Sequence, residues 1–182
     1  MTNIDWFTSD LHFGHENIIR YCKRPYKDSN HMTEELISNW NKCVKPGDNV
    51  YVVGDFSFLE IDKAQVVFDR LQGNKHLVRG NHDKTAAQIK GWVWIRDLVD
   101  LRIGEDRVVL CHYPMRTWNR SHHGSLMLHG HTHNTLPAFC NQSLDVGVDC
   151  WGYRPVCLTE IKTRLKQYPP MGAEFDKKYG RD

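Results

Sequence analysis

Short apolar runs and helically spaced apolar positions alternate along the first half of the chain. Ile4 to Thr8 reads as a strand ending at Asp10, and Asn49 to Val53 (NVYVV) as a buried strand that stops at Gly54-Asp55. Between them Met32, Leu36, Ile37, Trp40 and Val44 recur at helical spacing, and Pro46-Gly47 closes that helix. Ile61, Ala64, Phe68 and Leu71 mark a second helix, with Gly73 placed to cap it. His76 to Arg79 predicts a third strand ending at Gly80-Asn81-His82-Asp83, and a weak helix is expected over Thr85 to Lys90.

Strands dominate the rest: Trp92 to Ile95, Asp100 to Ile103, Arg107 to Cys111, Leu126 to Leu128, Leu144 to Val146 and Pro155 to Leu158. A last helix is expected near Thr159 to Lys166. The early β-α-β-α-β order followed by a strand-rich half predicts an α/β sandwich rather than one doubly wound sheet. No repeat, low-complexity stretch or linker divides the chain. Residues 1–167 therefore read as one domain, and 168–182 as a C-terminal tail, docked or frayed, with little apolar content.

Composition narrows the classes. With 182 residues and 40% hydrophobic content the chain can bury one sizeable core. A net charge of +2 and a pI ≈ 8.2, without any Lys/Arg run, give little drive toward a long nucleic acid, so none is expected as a partner. The six cysteines form no C-x-x-C pair and no regular framework, which reads as a reduced protein. The first twenty residues hold no apolar stretch of signal-peptide length, and nothing downstream approaches a membrane span. A soluble, cytoplasmic protein without a membrane partner is the expectation.

The candidate chemistry lies where the strands end. Asp10-Leu11-His12 follows the first strand, Gly54-Asp55 the second, and Gly80-Asn81-His82-Asp83 the third. His112 follows RVVLC, and Gly130-His131-Thr132-His133 follows SLMLH. Carboxyl ends of strands are where ligands bind in open α/β sheets. Residues two apart on an extended chain point to one side, so each D-x-H or H-x-H pair could aim at one centre. Gly54, Gly80 and Gly130 permit tight turns and close backbone approach. A mixed oxygen and nitrogen set without thiolate suits Mn²⁺, Fe, Zn²⁺ or Co²⁺ and argues against a structural cysteine site.

The order D-x-H, G-D, G-N-H-D, H, G-H-x-H resembles the calcineurin-like metallophosphoesterases, from about Ile4 to Ile161. The nearest likeness is to small bacterial and phage members that begin DLHFGH and carry no capping domain. That resemblance implies a four-layer αββα sandwich: two mixed sheets with helices on both outer faces. It implies two divalent cations, Mn²⁺ foremost, with Fe, Zn²⁺, Co²⁺ and Ni²⁺ as the other candidates. Asp10, His12 and His133 would hold one cation, Asn81, His112 and His131 the other, and Asp55 would bridge them. His82 would face the phosphate as general acid with Asp83 behind it to orient the ring, and Asn81 would also stabilise charge on the phosphate oxygens.

Other residues have a bland reading beside a sharp one. His15 is either a support behind the ligands or substrate-facing. His122 and His123 sit in a polar loop that could touch substrate, and Arg24 is either a phosphate donor or an ordinary surface residue. Tyr113, Trp118 and Trp151 could stack a base or fill the core. Cys111 reads as core, Arg79 as structural, and Asp145 and Asp149 as turn residues or supports behind the ligands. The expected activity is hydrolysis of a small phosphate ester or nucleotide, with a phosphodiester favoured. A phosphomonoesterase or protein phosphatase is the alternative, and a non-catalytic scaffold of the same fold a further one. Oligomeric state is left open.

Overall fold

The computed structural model of the protein describes residues 3–172. Its first sheet joins β1 (Asp5–Thr8), β2 (Asn49–Val53), β3 (Asn74–Val78), β4 (Ile95–Arg96) and β9 (Val156–Cys157) in the order β4-β3-β2-β1-β9. Only β9, beside β1, runs antiparallel. The second sheet, β5-β6-β7-β8, contains β5 (Leu98–Ile103), β6 (Asp106–Cys111), β7 (Leu126–His129) and β8 (Ser143–Asp145). Its β5-β6 pair is an antiparallel hairpin and its other pairs are parallel. Both sheets are mixed.

Side-chain alternation sorts the strands into layers. Trp6, Val50, Val52 and Leu77 face outward into a cluster with Leu36, Trp40, Val67 and Phe68. Those last four belong to the helices α2 (Ser29–Cys43) and α3 (Ile61–Arg70), which cover the first sheet. Phe7, Tyr51, Val53 and Val78 point the other way and meet Val108, Leu110, Leu126 and Leu128 of the second sheet. Because both faces are covered, β2 reads as a continuous apolar run rather than an alternating one. Ile161 and Leu165 of α4 (Leu158–Leu165) join this inter-sheet cluster. On the far face of the second sheet Val109 and Met127 pack beneath Trp118 and Cys140. That outer cover is a loop with one 3₁₀ turn, Ser121–His123, thinner among the described residues than the expected helical layer.

Local differences from the sequence reading have simple causes. α2 begins at Ser29, ahead of Met32, because the Asp28 carboxylate accepts the His31 backbone N–H at 2.7 Å and caps the helix. The helix expected over Thr85 to Lys90 is only a 3₁₀ turn, Ala86–Gln88, since so short a segment does not sustain helical nucleation. A short helix, α1 (Glu16–Tyr21), buries only Ile18 and Ile19 and leaves too little periodicity to be read. The start of the tail is docked: Tyr168 joins the inter-sheet cluster, and Pro169 accepts the Asn141 N–H at 2.7 Å. Residues 173–182 of that tail lie outside the described residues.

Candidate metal centre

The candidate ligands converge because the loops after the strands are bonded to one another. Asp10 N–H donates to Gly54 O at 3.0 Å, His12 N–H to Asp55 O at 3.0 Å, and Gly130 N–H to His112 O at 3.0 Å. The chain at these residues is not extended, which corrects the geometric reading of D-x-H and H-x-H. Asp10 (φ 56), His12 (φ 53), Asp55 (φ 55), His131 (φ 70) and His133 (φ 46) all adopt left-handed backbone. Such residues cost of order 1–3 kcal/mol each and persist where surrounding bonds enforce them. Gly130 has its own reason: a Cβ there would collide with Ser9 Oγ and Asp10 Oδ2.

Two groups result, each drawing on both sheets. The ligating atoms of Asp10, His12 and His133 lie within 4.8 Å of one another, as do those of Asp55, His112 and His131. Asp55 Oδ2 is close to both groups, 3.6 Å from His12 Nε2 and 3.5 Å from His112 Nε2. Asn81 Oδ1 lies 3.0 Å from His112 Nε2. Ligands on bonds of about 2.1 Å stand roughly 3 to 3.5 Å apart around one cation, so these spacings fit with little adjustment. Asp10 Oδ1 and His12 Nε2 are buried without a hydrogen-bond partner, 3.9 Å apart. Orphaned polar atoms of this kind are costly unless something occupies the gap between them. A further grouping of Cys22, His133 and Asp149 is already committed, because Asp149 serves Arg24 and His133 while burial raises the Cys22 thiol to about 11.

Supporting bonds fix which nitrogen each imidazole presents. His112 Nδ1 lies 3.0 Å from Val53 O and His133 Nδ1 lies 2.8 Å from Asp149 Oδ2, leaving both Nε2 atoms for the centre. Arg24 then grips Asp149 through Nε and Nη2, both at 2.8 Å, and Nη2 also donates to Asp10 O at 2.7 Å. Neither reading of Arg24 anticipated this. Its side chain is 0% exposed and does not line the site cleft.

Three further placements are corrections. Asp83 does not orient the His82 ring: its carboxylate accepts the backbone N–H groups of Asp55, Phe56 and Gly80, locking two loops together. Trp118 is buried in the outer cluster, its indole donating to Ser125 O at 3.0 Å, and lies away from the site. His122 sits exposed on the 3₁₀ turn and does not line the site cleft. That cleft, ≈ 450 Å³, is walled by His15, Ile18, Tyr21, Phe58 and His82 beside the ligands. His15 stacks on Phe58 with ring centroids 3.9 Å apart. Phe58 and Tyr21 carry no motif, and only their place beside the ligands marks them.

Charge among the candidate ligands is partly balanced by protons. Burial raises the Asp10 carboxyl to about 7, against the pull of His133 and His112. Burial works to lower His112, but the neighbouring Asp55 and Asp10 charges outweigh it and raise the imidazole to about 9. Both shifts run the same way for stability. Asp10 favours the folded form at low pH and loses that contribution as pH rises from about 4 to 7. His112 does the same from about 6.5 to 9. A cation competes with both protons. The increase in melting temperature produced by Mn²⁺ over EDTA is therefore expected to grow between about pH 5 and pH 8. An equal increase at both ends would show that these groups do not meet the cation.

A family model described as the calcineurin-like phosphoesterase superfamily domain matches residues 7–146, which contain every one of these candidate ligands. The chain belongs to that superfamily. It is 34% identical over 164 residues to an uncharacterised protein of Methanocaldococcus jannaschii, covering 86% of this chain and 88% of that one. It is 27% identical to the gene 66 protein of Mycobacterium phage L5, covering 81% of this chain and 87% of that one. A protein of unknown function from Aquifex aeolicus shares the fold with a TM-score of 0.73 at 27% identity, over 90% of this chain and all of that one. Superfamily membership supports a hydrolase of phosphate esters and implies divalent cations, for which the two ligand groups are candidate sites. No helix among the described residues is long and apolar enough to cross a membrane.

Proposed function

We propose that the protein is a dinuclear metal-dependent phosphoesterase that favours phosphodiesters of small or nucleotide type. The observation that carries this reading is Asp55 Oδ2, within 3.6 Å of a ligand nitrogen from each group. Two divalent cations held there, Mn²⁺ foremost, would act as Lewis acids toward the phosphate oxygens and bring the acidity of water to roughly neutral pH. The rest falls to the chain. Asn81 offers an amide beside the phosphate position, and Asp83 holds the Asp55 and Gly80 loops in register.

His82 supplies the proton for the leaving oxygen. Its ring is exposed in the cleft, 4.6 Å from Phe58 between centroids, and its backbone N–H anchors to Asp55 Oδ1 at 3.0 Å. The cleft's charge supports a diester. No Lys or Arg lines it among the described residues, which suits a monoanionic phosphodiester better than a dianionic monoester. The intact ligand set speaks against a non-catalytic scaffold. All six cysteines are unpaired, in keeping with a cytoplasmic location.

The test strips the protein of metal, restores Mn²⁺, and compares bis(p-nitrophenyl) phosphate with p-nitrophenyl phosphate. Faster release from the diester is expected. A monoester preference would overturn the substrate assignment, and no release with Mn²⁺, Zn²⁺ or Co²⁺ would overturn the hydrolase. His82→Ala should lose about 10²-fold or more with alkyl leaving groups and less with nitrophenolate. Equal losses would remove the acid role.

A further inference from the structure

A second cleft meets the first at Asn81. It measures ≈ 610 Å³ and is lined by Arg79, Lys84, Asp97, Cys111 and Tyr113 among others. The Tyr113 ring stands 4.9 Å from that of His131, so this cleft also opens at the candidate metal centre. The two differ in chemistry. The first presents Phe58, 40% exposed, and Tyr21, 71% exposed, and has no Lys or Arg in its wall among the described residues. The second presents two cations. Arg79 is spent on Asp97 through two 2.7 Å bonds, and Asp83 is spent on three backbone N–H groups. Lys84, exposed and in none of the described ion pairs, is left as the uncompensated charge.

A phosphodiester has two organic arms, and the centre lies where two clefts join. We propose that the substrate is a short linear oligonucleotide that threads the centre. One base stacks on the Phe58–Tyr21 wall, and the opposite arm lies in the second cleft with its next phosphate against Lys84. Aromatic faces exposed beside a phosphate site suit any base, and a lone lysine suits a neighbouring phosphate. A cyclic nucleotide, whose two ester oxygens return to one sugar, would leave one cleft unused. This inference rests on the phosphodiesterase reading, so the test separates the two.

The Mn²⁺-loaded protein is titrated calorimetrically with slowly hydrolysed phosphorothioate-linked dithymidylate. The probe is used bare, with a 5′-phosphate and with a 3′-phosphate, beside a 3′,5′-cyclic phosphorothioate. One end-phosphate is expected to tighten Kd by about tenfold or more over the bare probe. In Lys84→Ala that ratio should fall to one. Phe58→Ala should weaken all linear probes by about tenfold while keeping the ratio. No gain from either end-phosphate, a gain that survives Lys84→Ala, or tightest binding of the cyclic probe would overturn the inference. Hydrolysis of bis(p-nitrophenyl) phosphate is followed in the same preparation. Turnover without the end-phosphate gain refutes the two-cleft substrate alone. The gain without turnover keeps the two-cleft binding mode but refutes the phosphodiesterase, and with it the oligonucleotide as substrate.

Discussion

Asp55→Asn is expected to keep the fold and lose at least about 10³-fold of Mn²⁺-dependent turnover. Asparagine has the shape of aspartate, and its amide oxygen can still accept the His82 N–H that Oδ1 accepts at 3.0 Å. What changes is Oδ2, the atom within 3.6 Å of ligand nitrogens in both groups. If two cations share that atom, as proposed, placing an NH₂ there would turn a negative ligand into a donor aimed at both. The carboxyl is suited to the shared role: although burial opposes ionisation, the His112 ring beside it holds it down at about 2. Metal content by mass spectrometry should fall in step with activity, and the far-ultraviolet spectrum should not. Full metal content with near-native turnover would show that Asp55 is not shared.

Arg24→Met is expected to be the most destabilising single change around the centre, by about 3–5 kcal/mol, because it leaves a buried carboxylate with the His133 ring in place of its guanidinium partner. Asp149 is only 6% exposed and takes both Arg24 bonds. The variant also strips Asp10 O and Leu11 O of their guanidinium donors. For a domain of this size such a loss corresponds to a fall of roughly 6–20 °C in melting temperature. The damage should reach the chemistry, since Asp149 also holds His133 Nδ1 at 2.8 Å. Melting curves taken with and without Mn²⁺ check both effects. A change below about 1 kcal/mol would mean that the pair is open to water and contributes as surface pairs do.

The parts of the molecule legible from sequence are those decided by short-range patterns. NVYVV is a short β-branched run bounded by turn residues and so reads as a strand, and the apolar spacing from Met32 to Trp40 needs only its own turn geometry to be read as a helix. The candidate ligands were legible because strand ends carry them in recurrent motifs. What escaped depends on partners far apart in the chain. Arg24 and Asp149 are separated by 125 positions, and no local feature announces that one buries the other. Asp83 escaped for the opposite reason: adjacency to His82 suggested a partner, while its true partners are two amides of another loop and the Gly80 amide of its own. Trp118 could be stacking residue or core by composition, and only the second sheet's far face decided it. The left-handed ligands were missed because no spacing rule distinguishes a turn from a strand end.

Each candidate group takes ligands from both sheets. Asp10, His12, Asp55 and Asn81 come from the loops after β1, β2 and β3, while His112, His131 and His133 come from those after β6 and β7. Cations at these positions would act as rivets through the rim of the sandwich, joining residues as distant in sequence as Asp10 and His133. The spacing between the rivet holes is then set by the thickness of the apolar filling, where Phe7, Val53 and Val78 meet Leu110 and Leu128. A methylene trimmed from that filling, with no contact to any ligand, lets the sheets settle and changes how well the holes line up. Metal affinity at these positions would then be in part a gauge of how the core is packed.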